Sequence, residues 1–590
     1  MGKRKKWFGL SRRTFLGSSL VALGGGSWAN ANRSADKKLD EDRVKEKVPF
    51  KNGPQVKPDP APAAAKTQPK VVKGNGAGVV RPGATPFRIT PFIQDLPLPP
   101  VIKPVAIGTP PWVPGDVHHG IAPEFSRLKE WEQLPTKYYE LAAREALHQF
   151  IPGVDTPVWA YNGIVPGPTF HAKIGEPCVV RVTNRLPVET SVHLHGGHTP
   201  AHADGHPEFY VRQGESRDYF YPNCVPLHQG EPDYSESVSS CWYHDHAMDI
   251  TAHNAYMGCA GFFLYQDDLE SSLIDSNVLP QAAYDVPMAI ADRAFNADGT
   301  MYYDFLDHNG MLGDTFIVNG AVQPRFVVER RKYRFRILCA SNARVFTLRL
   351  STGQPFLQVG NDAWLLPFAM LRPELLLTPA KRADVIIDFT NAPEEVFLEN
   401  WMLQDDGRKP DGIADRPTPL VKFVVQGAPA RNDATVDVNT PLRPHIPILP
   451  EEIEFTRSFN FGRSQGVWTV NNELYDGQRV DAVPRLGSAE RWILRNSSGG
   501  WWHPIHIHLE SHQIQRVNGR APDPWDRFKV DTSILEDGTE IEVFMRFRTF
   551  QGPFVFHCHN LEHEDMRMMS VFDPRPQRVA TPAPVVRWYP

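Results

Sequence analysis

The sequence predicts an all-β fold built from three consecutive copies of one β-sandwich. Three observations carry this. At 590 residues the chain is too long for one core. Its 55 prolines and 43 glycines go with a scarcity of long amphipathic helical patterns. Three segments also share a layout: WAYNGIVPGPTFHAKIGEPCVVRVTN from Trp159, FIVNGAVQPRFVVERRKYRFRILCASN from Phe316 and WTVNNELYDGQRVDAVPRLGSAERWILRN from Trp468. Each runs from a strand through an Asn-Gly or Asn-Asn turn into a second strand that ends at or near Asn. The turn residues suit positive φ, and the flanking runs are β-branched or aromatic. Asn162, Asn319 and Asn471 lie 157 and 152 residues apart, which sets a sandwich of about 150 residues as the repeating unit.

Taken in order, residues 1–31 are not expected to be structure. A basic start, the twin arginines Arg12 and Arg13 in SRRTFLG, a short glycine-rich apolar run and an Ala29-Asn30-Ala31 exit resemble a twin-arginine export signal. The run is too short to read as a stable membrane anchor. The expected partner is the twin-arginine machinery, and the expected destination the periplasm or the exterior. Cleavage after Ala31 removes six Lys/Arg and no Asp/Glu, moving the net charge from −5 to −11, which argues against a nucleic-acid partner. Residues 32–88, with KPDPAPAAAKTQPK and KGNGAG, have the composition of a disordered linker. The three sandwiches are expected at 89–275, 276–430 and 431–590.

Six cysteines in an exported chain permit disulfides without amounting to a disulfide scaffold. Cys224 and Cys241 bracket a polar segment, and a bridge there would add roughly 3 kcal/mol. The alternative is that Cys178, Cys224, Cys241, Cys259 and Cys339 are buried thiols.

Ten of the 22 histidines fall into four clusters: SVHLHGG (His193, His195), WYHDHAM (His244, His246), HPIHIH (His503, His506, His508) and HCHNLEH (His557, His559, His563). The first and third repeats hold two clusters each, and the second holds none. Side chains alternate along a strand, so two histidines one residue apart share a face. His193/His195, His244/His246, His506/His508 and His557/His559 therefore offer eight imidazoles, too many for one metal ion. Cys558 faces away from its neighbours, as does His503 if its segment is extended. Joined by His563 and a following methionine, they make two imidazoles, a thiolate and a weak thioether, the ligand set of an electron-transfer copper site. Zinc favours four closed ligands, and a single iron would use two or three histidines and a carboxylate.

These motifs, in this order, resemble those of the multicopper oxidases from about residue 90 to the C-terminus. FIQDLPLPPVIKP, YNGIVPGPTF, DGHPE, YDVPMAIADRAFNADG and TPAKRADVIIDF are similar to segments of the bacterial laccase and bilirubin-oxidase branch, spore-coat laccases included. The resemblance implies three cupredoxin-like Greek-key sandwiches and four copper ions. His503, Cys558, His563 and Met568 would hold the type 1 copper, with Met568 preferred to Met566 and Met569 because the axial ligand of this branch follows the cysteine by ten. His193 and His506 would hold the type 2 copper, and His195, His244, His246, His508, His557 and His559 the type 3 pair. Two departures stand out: the segment between Tyr221 and Trp242 is long, and a cysteine often found upstream of the second VNG turn is missing.

By the same resemblance, electrons from an outside donor would pass through Cys558 to His557 and His559, and dioxygen would be reduced to water. Asp204 and Glu564 would relay protons, desolvation raising their pKa. His563 is expected at the edge of its site, reaching the surface. Phenols, aromatic amines or bilirubin-like pigments are the expected donors. A metal oxidase acting on Cu(I), Fe(II) or Mn(II) would need carboxylates or thioethers clustered there, and with only 12 methionines there is no Met-rich insert. The complete ligand set disfavours a non-enzymatic copper-binding relative, and three repeats disfavour a two-domain nitrite reductase.

Overall fold

The computed structural model describes residues 85–106 and 137–584. The export signal at 1–31 and residues 32–84 of the expected linker lie outside the described residues. Three pairs of sheets follow one another along the chain. The first pair joins Thr156–Tyr161, Lys137–His148, Cys178–Asn184 and Ser216–Tyr221 to a second sheet of Gly167–Lys173, Ala260–Gln266, Ser240–Asp245 and Val192–His195. The second pair has seven and five strands between Asp285 and Gln426, and the third has six and four between Ile453 and Phe572. The described α-helices are short: Thr251–Met257, Asp268–Asp275 and Leu561–Asp565.

The internal repeat has an atomic counterpart. Asn162, Asn319 and Asn471 all sit at positive φ, 54°, 48° and 55°, a conformation asparagine tolerates because its short amide can bond locally. In each copy the side-chain oxygen accepts a 2.8 Å hydrogen bond from the neighbouring strand, from the main-chain N–H of Ala142, Ala289 and Asn460 respectively. That neighbour pairs in parallel with the strand after the turn: Lys137–His148 with Cys178–Asn184, Asp285–Arg293 with Lys332–Cys339, and Ile453–Ser464 with Ser488–Asn496. One turn thus ties the same three strands together three times.

Each sandwich buries its own apolar layer. In the third, Trp492 packs edge to face with Phe556 and Phe572, and Cys558 and Met568 lie in the same cluster. Cys241 is a buried free thiol in the core of the first sandwich, so the bridge to Cys224 does not form and the buried-thiol reading holds at that position. The long segment between Tyr221 and Trp242 folds as a small hairpin, Leu227–His228 with Glu231–Pro232, and a single turn at Tyr234–Glu236. It lies against the third sandwich, where Asp233 and Glu236 face Arg548.

Candidate metal centre

Strand register brings the histidines together. Val192–His195 runs antiparallel to Ser240–Asp245 with His193 opposite His244, and His503–Ile507 runs antiparallel to Phe554–Cys558 with His506 opposite His557. Opposite residues share a face, so each pair of strands presents its imidazoles as one set. The two sets meet between the first and third sandwiches: His195 stacks on His506 with centroids 3.6 Å apart, and His193 on His508 at 3.8 Å. His193 Nε2 lies 3.3 Å from His506 Nε2, and His557 Nε2 lies 3.2 Å from both His246 Nε2 and His508 Nε2.

Nitrogen atoms of neutral imidazoles do not converge on one another without a reason. The outer nitrogens supply it. His193 Nδ1 donates to the Asp204 carbonyl at 2.5 Å, His244 Nδ1 to that of Asp245 at 2.7 Å, and His506 Nδ1 to that of Asp531 at 2.8 Å. His508 Nδ1 donates to the Asp204 carboxylate at 2.6 Å and His557 Nδ1 faces Glu564 Oε2 at 3.0 Å, with His246 Nδ1 3.4 Å from the other Glu564 oxygen. Each hydrogen bond from Nδ1, including that of His557 Nδ1 to the Cys558 carbonyl at 3.2 Å, puts the proton outside and leaves an inward lone pair on Nε2. His195 is reversed: its Nε2 meets Asp531 Oδ1 at 3.1 Å, and its Nδ1 has no partner. His244 Nε2 and both nitrogens of His559 are also buried without partners. A ring of inward, unprotonated nitrogen donors suits imidazole-bound transition metals, copper among them.

Electrostatics agree. Burial pushes the imidazoles down, to about 3 for His244 and about 4 for His246, with mutual repulsion adding to the effect; His193, His195, His506, His508 and His559 are likewise driven well below the ordinary imidazole range by burial and their neighbours. They are neutral and ligand-competent. Asp204 is raised to about 8 by burial, against a 3.0 Å hydrogen bond from Thr199. Glu564 departs from the expectation of a raised carboxyl. Burial would raise it, but His557 and His246 outweigh that and hold it below the ordinary range.

Cys558 points to the opposite side of its strand. Its Sγ lies 3.3 Å from His503 Nδ1 and 3.5 Å from His563 Nδ1, and those two nitrogens are 3.1 Å apart. The outer nitrogens are again taken, His503 Nε2 by Ser498 Oγ at 2.9 Å and His563 Nε2 by the Asn309 carbonyl at 3.0 Å. Burial drives the Cys558 thiol well above its ordinary range, so a thiolate here needs a cation among these three donors. Met568 is fully buried in the same cluster as Cys558. Met569 turns to a different cluster and Met566 lines a surface cavity.

The structure corrects one expectation at this site: His563 does not reach the surface. It is fully buried, tilted against Trp468 with ring centroids 4.0 Å apart and planes 38° from parallel, and covered by the 301–311 segment of the second sandwich. Trp468 Nε1 donates to the His308 carbonyl at 2.8 Å, and Glu562, one residue before His563, accepts from Tyr303 Oη at 3.1 Å and Met311 N at 3.0 Å. Beside this cap lies a cavity of about 430 Å³ whose lining includes Asp249, His253, Tyr303, Phe305, Glu562 and Met566.

Asp531 and its partner Arg382 were not among the candidates read from the sequence. Asp531 precedes the strand Thr532–Leu535, which pairs with HPIHIH. The available signal was a Lys-Arg pair entering the apolar strand of TPAKRADVIIDF.

Profiles of the multicopper oxidases match residues 143–269 and 447–578, the two stretches that supply the histidines. A laccase of Bacillus stratosphericus is 34% identical over 499 residues, covering 74% of this chain and 94% of that protein. The bilirubin oxidase of Albifimbria verrucaria is 35% identical over 452 residues, 74% and 76% of the two chains. The crystal structure of a laccase from Pediococcus acidilactici superposes with a TM-score of 0.68 at 26% identity, over 83% of this chain and 95% of that one. Two ligand sets back to back on one strand, in sandwiches that match these relatives over most of their length, make this chain a member of the multicopper oxidase family.

Proposed function

We propose that this chain is a laccase-like oxidase holding four coppers, which couples one-electron oxidation of small phenolic, aromatic-amine or bilirubin-like donors to reduction of dioxygen to water. His503, Cys558, His563 and Met568 would hold the type 1 copper. His193 and His506 would hold the type 2 copper, and His195, His244, His246, His508, His557 and His559 the type 3 pair. The coppers supply reversible one-electron transfer and the reduction of dioxygen.

The observation that carries the proposal is the position of Cys558. It belongs to one donor set while its chain neighbours His557 and His559 belong to the other, so the two sets are joined by single residues of covalent backbone. Proton supply falls to two acids. The Asp204 carboxyl, raised to about 8, holds a proton near neutral pH on Oδ1, the oxygen beside Thr199, while its Oδ2 accepts from His508 Nδ1 at 2.6 Å. Glu564 stays ionised between His246 and His557 and accepts a proton delivered to its Oε1 or Oε2.

The donor side is supported by the cavity over Glu562. Tyr303, Phe305 and His253 face one another with centroids 4.9 to 5.2 Å apart, a wall that suits aromatic rings. The same cavity favours a second reading: Asp249, Asp304, Asp307 and the Met566 thioether line it too, a set suited to metal-ion donors. Oxygen uptake on one preparation with a syringaldazine-type phenol, bilirubin, Cu(I), Fe(II) and Mn(II) separates them. Organic donors are expected to be faster; a metal ion faster by orders of magnitude replaces the laccase assignment with a metal oxidase. Copper-loaded protein should hold about four coppers and be intensely blue through its thiolate-to-copper absorption, whereas colourless, zinc-only protein overturns the whole reading.

Export through the twin-arginine route to the periplasm or beyond is the companion proposal, supported by SRRTFLG and the Ala-Asn-Ala exit. No helix among the described residues is long and apolar enough to cross a membrane. Replacing both Arg12 and Arg13 by Lys should retain the protein in the cytoplasm; unchanged export overturns the proposal.

A further inference from the structure

The second sandwich contributes no histidine to the centre, yet it reaches into it. Arg382, fully buried, forks onto Asp531 with Nη1 to Oδ1 at 2.7 Å and Nη2 to Oδ2 at 2.5 Å. Its Nε donates to the Ser240 carbonyl at 3.1 Å, so one guanidinium from the second sandwich bonds the first and the third. Asp362 and Lys381, also from the second sandwich, complete the grip. Asp362 Oδ2 accepts from the main-chain N–H groups of Asp531 and Thr532 at 3.1 and 3.2 Å, and Lys381 Nζ bonds Asp362 at 2.9 Å and the Thr532 carbonyl at 3.2 Å.

What the grip holds is Asp531, which touches two rings of the centre by different atoms. Its Oδ1 meets His195 Nε2 at 3.1 Å and its carbonyl accepts from His506 Nδ1 at 2.8 Å. His195 differs from the other rings whose outer contact is at Nδ1: its Nδ1 is inward and its Nε2 outward. A carboxylate already committed to Arg382 has its oxygens fixed in direction, and the oxygen it turns to His195 can only accept. The proton of His195 is thereby kept on Nε2. Space is also set: a Cβ on Gly196, the next residue, would stand 2.8 Å from Arg382 Nη2 and 2.9 Å from Asp531 Oδ2.

We infer that Arg382 and Asp531 are positioning residues through which the second sandwich sets the donor nitrogen of His195 and the angle of His506, and so tunes how tightly the trinuclear cluster holds copper. This rests on the copper reading above. Outer partners of metal-bound histidines typically contribute 10- to 100-fold in metal affinity.

The test compares wild type with Arg382→Met, Arg382→Lys and Asp531→Asn, using Arg443→Met as a control. Arg443 forks onto Asp267 with the same geometry, at 2.7 and 2.8 Å, and bonds no residue of the centre. Copper-free melting, copper titration against a chelator, and the blue and electron-spin-resonance spectra are recorded for each. Arg382→Met and Asp531→Asn are expected to bind cluster copper roughly 10- to 100-fold more weakly and to change the type 2 spectrum, while the blue band of Cys558 is kept. Arg382→Lys should recover part of the affinity, and Arg443→Met should lower the melting point without changing either spectrum. If Arg382→Met does not fold, Asp531→Asn decides, because it is isosteric but its single amide oxygen cannot keep both arms of the Arg382 fork and so no longer fixes the acceptor turned to His195. Cluster affinity equal to wild type in Asp531→Asn overturns the inference, as does parallel loss of blue and cluster copper. Wild-type protein that takes up no copper overturns the underlying copper reading instead.

Discussion

Glu236→Gln tests whether the long segment after Tyr221 is a structural clamp. Glu236 is buried where that segment meets the third sandwich: Ser511 Oγ donates to its Oε2 at 2.8 Å and Arg548 Nη2 lies 3.5 Å from its Oε1. Burial alone would raise its pKa, but Lys529 and Arg548, with the Ser511 hydrogen bond and Arg546, outweigh that and bring it from 4.5 to about 2. Asp233 and Glu510 share Arg548 and are the other acids facing it. A depressed carboxylate stabilises the fold above its unfolded pKa, and that stability is lost as pH falls through 4.5 toward 2. At about 1.4 kcal/mol per tenfold change in proton affinity, the contribution is about 3 kcal/mol at pH 7, of which about 1.4 kcal/mol is already lost at pH 3.5. Calorimetric melting of the copper-free protein is the assay, since metal binding carries a pH dependence of its own. Glu236→Gln should lower the transition of the third sandwich by roughly 6–12 °C at pH 7, taking about 2–4 °C per kcal/mol, and the gap should narrow by nearly half at pH 3.5. A gap that does not change with pH, or one under about 0.5 kcal/mol at pH 7, refutes the clamp.

Cys558→Ser should remove the blue band and steady-state turnover while leaving cluster copper countable; surviving blue colour would mean that another residue is the thiolate. Asp204→Asn should slow reoxidation by dioxygen on the order of 100-fold or more and leave anaerobic single-turnover oxidation of the donor unchanged, with Glu564→Gln acting in the same direction; equal slowing of both half-reactions counts against a proton role. Gly310→Ala probes the cap over His563, because a Cβ there would stand 2.6 Å from Ala343 Cβ and 2.7 Å from Asn560 Nδ2 at a φ of 132°. It should change KM for bulky phenols while sparing kcat/KM for dioxygen, and an unchanged KM would show that donors do not approach through this face.

How much could be read from the sequence follows from the range of each interaction. The paired histidines were legible because strand alternation is local: once His193 and His195 share a face, their register with His244 needs only an antiparallel neighbour. The three turn asparagines were legible for the same reason, and the structure adds only the 2.8 Å bond that each makes to a strand. Burial of His563 was not legible. Its cover comes from Asn309, some 250 residues earlier and in a loop with no periodicity, and nothing in HCHNLEH records it. Arg382 could be seen as a charge entering an apolar strand, but its partner Asp531 lies 149 residues away.

The two acids show most sharply where local reading ends. Asp204 and Glu564 look alike in sequence, each a carboxyl close to metal-binding histidines, and one argument from desolvation covers both. In the folded chain the balance differs. Asp204 meets His508 through one oxygen and a neutral hydroxyl, Thr199, through the other, and neither offsets its burial. Glu564 faces His246 and His557 with separate oxygens and feels His559 as well. Desolvation therefore prevails at one acid and the imidazoles at the other. Asp204 thus keeps its proton to higher pH than an ordinary carboxyl and Glu564 stays ionised, a difference set by neighbours from distant parts of the chain and by no feature of either motif.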